Sequence, residues 1–454
     1  MWGSIIGRSC VIYMLFCITA YYTMSIKSTY QDYDGYSVLE VITKTEEETK
    51  DLYKIFSDAD IDIWKNSQKF EENHHVTVVV LPPLAKESII QQIEDKNYEH
   101  RILIHNVKET IDREREAQKN YTKVNGSITF DHYYRYDDID EYLTTLEKNY
   151  PNIVELINIG KSYEGRAMKM IKISSSTNRE NIQDVKKPII FIDGGIHARE
   201  WIAPAQVLYI IHQLVENTKE TFSLIENIDW YLIPVVNPDG YEFSHVHDRL
   251  WRRTRSPSTF PGIPHSLYAP SCVGVDANRN WDIYWNGFDK DGGKNNPQGF
   301  PSPGHIPCIN DYAGPRPFSE IEIKNLADFA DKIKDQIKLY ITFHSFGNKI
   351  LYPYGYTDDL PEDSKELHKL GKLVNAVMDT HYDVGASANI LYSLTGSSKD
   401  YFKDVLGVEL SYTIELTDGS VHGFDLPPKE ILPTVSDMFK GIQVFAAYID
   451  KKFL

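Results

Sequence analysis

The sequence predicts a mixed α/β domain, its central sheet mostly parallel and flanked by helices, preceded by a small α+β domain. Three observations carry this. Beyond about residue 130, short apolar runs alternate with stretches of helical spacing, as in strands linked by crossover helices. The region from 30 to about 110 has its own set of strands and helices. Between the two lies "DREREAQKNYTKVNGSITFDHYYRYDD", rich in charge and poor in apolar periodicity, which reads as a linker.

In chain order, Arg8 precedes the apolar run "SCVIYMLFCITAYY" and then the polar "SIKSTYQDYDG". The run is shorter than the roughly 20 residues of a membrane span and fits a secretory signal peptide over residues 1–27. A secreted, extracellular product with no membrane association after signal removal is expected. "YSVLEVIT" (36–43) and "HVTVVVLP" (75–82) predict strands; "TEEETKDLYKIFSD" (45–58) and "AKESIIQQIEDKNY" (85–98) predict helices. "EHRILIHNVKETIDRE" adds a strand-to-helix candidate. In the larger region "KPIIFID" precedes the helix "APAQVLYIIHQLVEN". "DWYLIPVV" (229–236), "KLYITF" (338–343) and "LSYTIEL" (410–416) predict further strands, and 319–333 and 364–379 further helices. The stretch 241–317, rich in Gly, Pro, Asn and Trp, predicts a long loop, and such loops are usually functional.

Composition narrows the class. The 454 residues are 42% hydrophobic and 25% charged, ordinary for a globular protein, and the net charge of −17 argues against nucleic acid or anionic membrane as partner. Of four cysteines, Cys10 and Cys17 lie in the signal, leaving Cys272 and Cys308 as an even pair in an oxidising compartment. Sequons at Asn120 and Asn125 agree with secretion. Arg113, Arg115, Lys119 and Lys123 in the linker are sites that a trypsin-like protease cuts.

The chemistry gathers at predicted strand ends. After "FIDGG", where Gly194 and Gly195 turn the chain, His197 and Glu200 stand three apart, close enough to grip one metal ion from a single turn. His344 follows the strand "LYITF", and Glu415 ends the strand "LSYTIEL". In open α/β sheets that edge is where ligands bind. Two histidines and a glutamate make the three-ligand set of a catalytic zinc, with one position left for water.

With these runs in view, the chain resembles the zinc metallocarboxypeptidases of the pancreatic A/B type, made as preproenzymes. The matching segments are "IGKSYEGRAMKMIKIS", "GGIHAREWIAPA", "VNPDGYEFS", "RLWRRTRS", "CVGVDANRNWD", "YAGPRPFSE", "ITFHSFG" and "SYTIELTDG". The resemblance implies an activation propeptide domain over 28–119, covering the active-site mouth, and a catalytic domain over 120–454. It also implies a monomer that acts on peptide or protein C-termini once a trypsin-like protease has cut between about 113 and 123.

Carried over residue by residue, the resemblance makes His197, Glu200 and His344 the ligands of one Zn2+. Glu415 becomes the catalytic glutamate and Arg255 the arginine that stabilises the oxyanion. Asn278 and Arg279 become the pair holding the substrate's free carboxylate, and Tyr392 the tyrosine closing over it. Arg199 becomes a subsite residue, Asp276 the partner behind the first histidine, and Cys272–Cys308 the disulfide. Phe346 stands where the pancreatic enzymes usually carry tyrosine, which removes no ligand and no base. Lys399, counted outward from "TGSS", falls deep in the pocket for the C-terminal side chain. Family members preferring aromatic or aliphatic ends carry an apolar residue there, and those preferring Lys or Arg carry aspartate. A lysine predicts release of C-terminal Glu or Asp. The alternatives are an A-type enzyme releasing aromatic or aliphatic residues, a silent peptide-binding homologue, and a zinc amidohydrolase. Retention of every ligand, of Glu415, and of Asn278, Arg279 and Tyr392 speaks against the last two.

Overall fold

A computed structural model describes residues 30–59, 61–69, 74–119, 126–175, 187–257, 272–285, 307, 309–417 and 423–454. The signal segment, both sequons, Lys123 and Cys308 lie outside the described residues.

The first domain is a four-stranded antiparallel sheet of β1 (Ser37–Thr43), β2 (Asp62–Lys69), β3 (His74–Leu81) and β4 (Glu99–Ile104), in the order β2-β3-β1-β4. The alternation of β1 and β3 gives the sheet two apolar faces. Leu39, Val41, Val79 and Leu81 pack on Leu52, Ile55, Phe56, Ile89 and Ile93 from the helices Glu46–Asp58 and Pro83–Asp95. Val38, Val76, Val78, Val80 and Ile104 point the other way, into a cluster with Leu250, Phe346 and Phe424 of the second domain. Burial on both sides explains why "VTVVVL" is nearly continuously apolar. The charge-rich segment read as linker begins inside a helix, Val107–Lys119, whose Val107 and Ile111 join the same interdomain cluster.

The second domain is built on eight strands: β5 (Val154–Lys161), β6 (Ala167–Ile173), β7 (Ile189–Asp193), β8 (Asp229–Ile233), β9 (Ile337–Ser345), β10 (Lys349–Tyr352), β11 (Asp383–Ala386) and β12 (Leu410–Leu416). Their order is β11-β10-β12-β9-β7-β8-β6-β5. The central β12, β9, β7 and β8 run parallel, and antiparallel strands flank them. Helices cover both faces. Ile202–Val215, Ser364–Asn375 and Ile431–Phe453 pack on one, Ile321–Ile333 and Ser398–Asp404 on the other. All five residues of β7 are buried, so both its faces are core. Among the described residues no helix is long and apolar enough to cross a membrane.

Candidate active site

The parallel strands deliver three buried groups to one point at their C-terminal edge. His197 and Glu200 lie between β7 and the helix Ile202–Val215; His344 is near the end of β9. Glu200 Oε1 lies 2.7 Å from His197 Nδ1 and Oε2 2.9 Å from His344 Nδ1, with the two Nδ1 atoms 3.1 Å apart.

Each ring is turned so that Nδ1 carries the lone pair. His197 Nε2 lies 3.1 Å from Asp276 Oδ1, a carboxylate oxygen that accepts an Nε2–H, and this leaves Nδ1, 3.2 Å from Arg252 Nη1, as the nitrogen facing the cluster. His344 Nε2 lies 3.2 Å from Thr342 Oγ1, whose own hydrogen is donated to Asp193 at 2.7 Å, so Nε2–H donates there. Two Nδ1 lone pairs and a carboxylate converging in a buried site are the nitrogen and oxygen donors that zinc takes, each ring oriented by a hydrogen bond behind it. The residues fit the ion.

Asp276 is the hub behind His197. Arg252 donates to its Oδ2 from Nη2 at 2.7 Å and Nε at 3.0 Å, and Asn278 N–H donates to Oδ1 at 2.9 Å. Burial pushes its pKa up, but Arg252, Arg279 and His197 outweigh that and hold it well below the usual carboxylate range. Glu415 lies on β12, paired with His344 across the sheet. Burial raises its carboxyl to about 7; Glu200 adds to the rise, and His344, Arg252 and Lys349 oppose it.

Arg279 Nη2 donates to the Tyr392 hydroxyl at 3.2 Å, and Asn278 Oδ1 accepts from Ser398 N at 2.9 Å, tying that pair to the start of the helix carrying Lys399. Lys399 is buried and donates to Asp400 Oδ1 at 2.6 Å. Asp400 also accepts from Gly355 N and Ser397 Oγ, each at 3.0 Å. The lysine therefore enters the site already paired, which the spacing alone does not reveal.

Arg255 requires a correction. Its guanidinium stacks 3.6 Å from the Phe243 ring centroid and 4.6 Å from that of Trp251, with Glu164 as its charge partner at 3.9 Å. Arg252, three residues earlier, has Nη1 3.7 Å from Glu200 Oε1 and is the arginine at the metal cluster. "RRTR" offers three arginines, and only the path of the loop decides which one points inward. Cys272 is buried and disulfide-bonded; its expected partner Cys308 lies outside the described residues.

β2 of the first domain lies across the mouth. Asp62 Oδ2 accepts from buried Arg199 Nη1 at 2.6 Å, and Oδ1 from Asn310 at 2.7 Å. Arg199 overcomes the upward push of burial and lowers the Asp62 pKa. Trp64 meets Phe346 and Phe424 edge-on, at centroid distances of 6.3 and 5.1 Å. Gly423, at φ +62°, lets the ring in: a Cβ there would lie 2.5 Å from it. Glu114 on the helix Val107–Lys119 is buried against Arg249 at 2.5 and 3.0 Å. The sequence reading singled out none of Asp62, Trp64, Glu114, Arg249 and Arg252.

Fold and site together define a zinc hydrolase closed by a domain of its own chain. Residues 139–441 match the zinc carboxypeptidase family and residues 39–114 the carboxypeptidase activation peptide, and the chain belongs to the zinc carboxypeptidase family. It is similar to a carboxypeptidase B of Astacus astacus, 40% identical over 70% of this chain and 97% of that protein. Carboxypeptidase A2 of Rattus norvegicus is 32% identical over 91% of this chain and 94% of its own length. Among solved structures, carboxypeptidase A of Helicoverpa armigera aligns with a TM-score of 0.81 at 29% identity, covering 93% of this chain and 99% of that one. The chain is an exopeptidase carrying an activation peptide; its relatives bear both A and B names.

Proposed function

We propose that the chain is a secreted, monomeric zymogen that, once cut by a trypsin-like protease, releases Glu or Asp from peptide C-termini. The observation that carries the specificity is Lys399, a buried cation in the pocket inferred from the family pattern. Its three N–H donors allow it to keep Asp400 and still bind a substrate carboxylate. Because Asp400 already offsets its charge, the discrimination lies near the low end for a charge-assisted hydrogen bond, about 1.5 kcal/mol or roughly tenfold.

His197, Glu200 and His344 hold the zinc. When bound, the ion supplies Lewis acidity, which brings the pKa of water from about 15.7 to about 7. Glu415 takes the proton of the attacking water and passes it to the leaving amine. Arg252, in place of Arg255, faces the developing oxyanion from the metal edge. Arg279 forms a bidentate pair with the terminal carboxylate, Asn278 beside it and Tyr392 over it, so that only a chain end fits. Arg199 takes up an upstream residue once Asp62 leaves.

The bonds after Arg113 and Arg115 lie within a helix, with Arg115 stacked on Tyr30. This favours activation after Lys119 or Lys123. The test is a comparison of zinc-loaded protein, before and after trypsin, on peptides ending in Glu, Asp, Phe, Leu, Lys and Arg, with and without chelator. Cleavage of Glu and Asp ends about tenfold faster than the rest, and only after trypsin, is expected. Faster release of Phe or Leu, with a ranking untouched by Lys399→Asp, would establish the A-type alternative.

A further inference from the structure

One row of side chains crosses four strands at the catalytic edge. Asp383 on β11 is in register with Lys349 on β10, Lys349 with Glu415 on β12, and Glu415 with His344 on β9. Residues in lateral register point to the same face of a sheet, so Lys349 shares that face with Glu415, one strand further from the metal cluster. It is 4% exposed, and its Nζ donates to Asp383 Oδ2 at 3.3 Å. That aspartate's side chain is 64% exposed, so the counter-ion is bathed in water and the lysine is not.

Register also orders the face by depth. Two residues below the row, Leu351 pairs with Thr413. Two below that, Ser411 donates from Oγ to the backbone oxygen of Lys399 at 2.8 Å. The wall has Glu415 and Lys349 at its rim, Thr413 and Leu351 midway, and Ser411 and Lys399 at the floor. A released residue whose side chain reaches Lys399 descends this wall. The residue on the other side of the scissile bond stays level with Glu415. The cover agrees with that placement, because the positive charge of Lys65 on β2, the strand lying across the mouth, acts on Lys349.

We propose that Lys349 is a second specificity residue, binding the carboxylate of an acidic residue immediately before the one released. The preferred class is then peptides ending in two acidic residues, with Lys399 taking the last and Lys349 the one before it. This rests on the reading of Lys399 only for the final residue. Lys65 places a positive charge near Lys349 in the zymogen, so the activation domain leaves this cation for a substrate anion.

The test uses the full-length protein, zinc-loaded and trypsin-activated, on paired peptides that differ only in Glu or Gln at the penultimate position. One pair ends in Glu and one in Phe. For the wild type, kcat/KM is expected to be five- to tenfold higher for penultimate Glu with either end, and Lys349→Met is expected to bring that ratio to one. Each ratio is taken within one enzyme, so a general loss of activity does not affect it. If Lys349→Met yields too little folded protein, the wild-type ratio is followed with salt and should fall toward one between low salt and 0.5 M. A wild-type ratio of one, or a ratio unmoved by both the substitution and salt, overturns the proposal. Failure of the Lys399 reading shows up separately, as a preference for Phe over Glu at the last position with the penultimate ratio intact.

Discussion

The catalytic edge and the strand that covers it are held by opposite means. At the edge, the charged groups are held by one another in a single network: Glu200 between two histidines, Asp276 between His197 and Arg252, and Arg279 donating to the Tyr392 hydroxyl. The cover is attached by ion pairs, Asp62–Arg199 and Glu114–Arg249, by an aromatic cluster around Trp64, and by the valine face of β3 packed on Leu250, Phe346 and Phe424. The edge is a network in which each removal leaves another charge stranded. The cover is a few separate contacts that can be lost together. Permanence belongs to the part that performs the chemistry, and detachability to the part that prevents it.

The largest effect should come from breaking the edge. Glu200→Ala should abolish zinc binding and lower kcat/KM by at least on the order of 10³-fold, checked by metal stoichiometry and a peptide assay. Retained zinc with retained activity would remove Glu200 from the ligand set. Breaking the cover comes next. Glu114→Ala leaves Arg249 buried without its carboxylate and should cost the zymogen about 3–5 kcal/mol, read by denaturant unfolding. An unchanged midpoint would show that the pair does not fasten the cover. Within the edge, Arg252→Ala should lower kcat by about 10²–10³-fold, roughly 2.7–4 kcal/mol, while Arg255→Ala changes it only a few-fold. The reverse ranking would restore Arg255 to the oxyanion.

The smallest effect lies away from both regions. Burial raises the carboxyl of Glu322 to about 7, and its Oε2 is buried without a partner while Oε1 accepts from Tyr163 N. A carboxyl that holds its proton more tightly folded than unfolded stabilises the fold at low pH. That contribution is lost as pH rises from the ordinary value near 4.5 through 7. Glu322→Gln should therefore raise stability by about 1–3 kcal/mol at pH 8 relative to the wild type, and by much less at pH 4. Equal differences at the two pH values would sink this assignment.

What was legible in the sequence follows the same division. The ligands were readable because each sits in a contiguous run at the end of an apolar strand, and strand period and loop position combine to place it. Arg252 was missed because "WRRTR" places several arginines within four residues, and no local pattern says which of them the loop turns inward. Lys399 was placed by counting, but its pairing with Asp400 depends on the rotamer at the start of a helix. β2 went unread because "DIWKNSQK" lacks apolar alternation; its hold on the site comes from single residues, Asp62 and Trp64. Glu114 was hidden in a charge-rich segment, where nothing distinguishes a buried acid from solvated ones. The start of the helix carrying it fell within the strand-to-helix candidate ending at Glu114, while its C-terminal part was read as linker for the same reason.

The doubly buried β3 has a consequence for activation. Val76, Val78 and Val80 press on Leu250, Phe346 and Phe424, a contact that does not run through the peptide chain beyond Lys119. A single cut converts one chain into a two-chain complex, and the mouth opens only when those fragments part. Onset of activity then has two clocks: a protease-dependent scission and a dilution-dependent escape. The escaping fragment carries a wet valine face and is a natural target for further digestion.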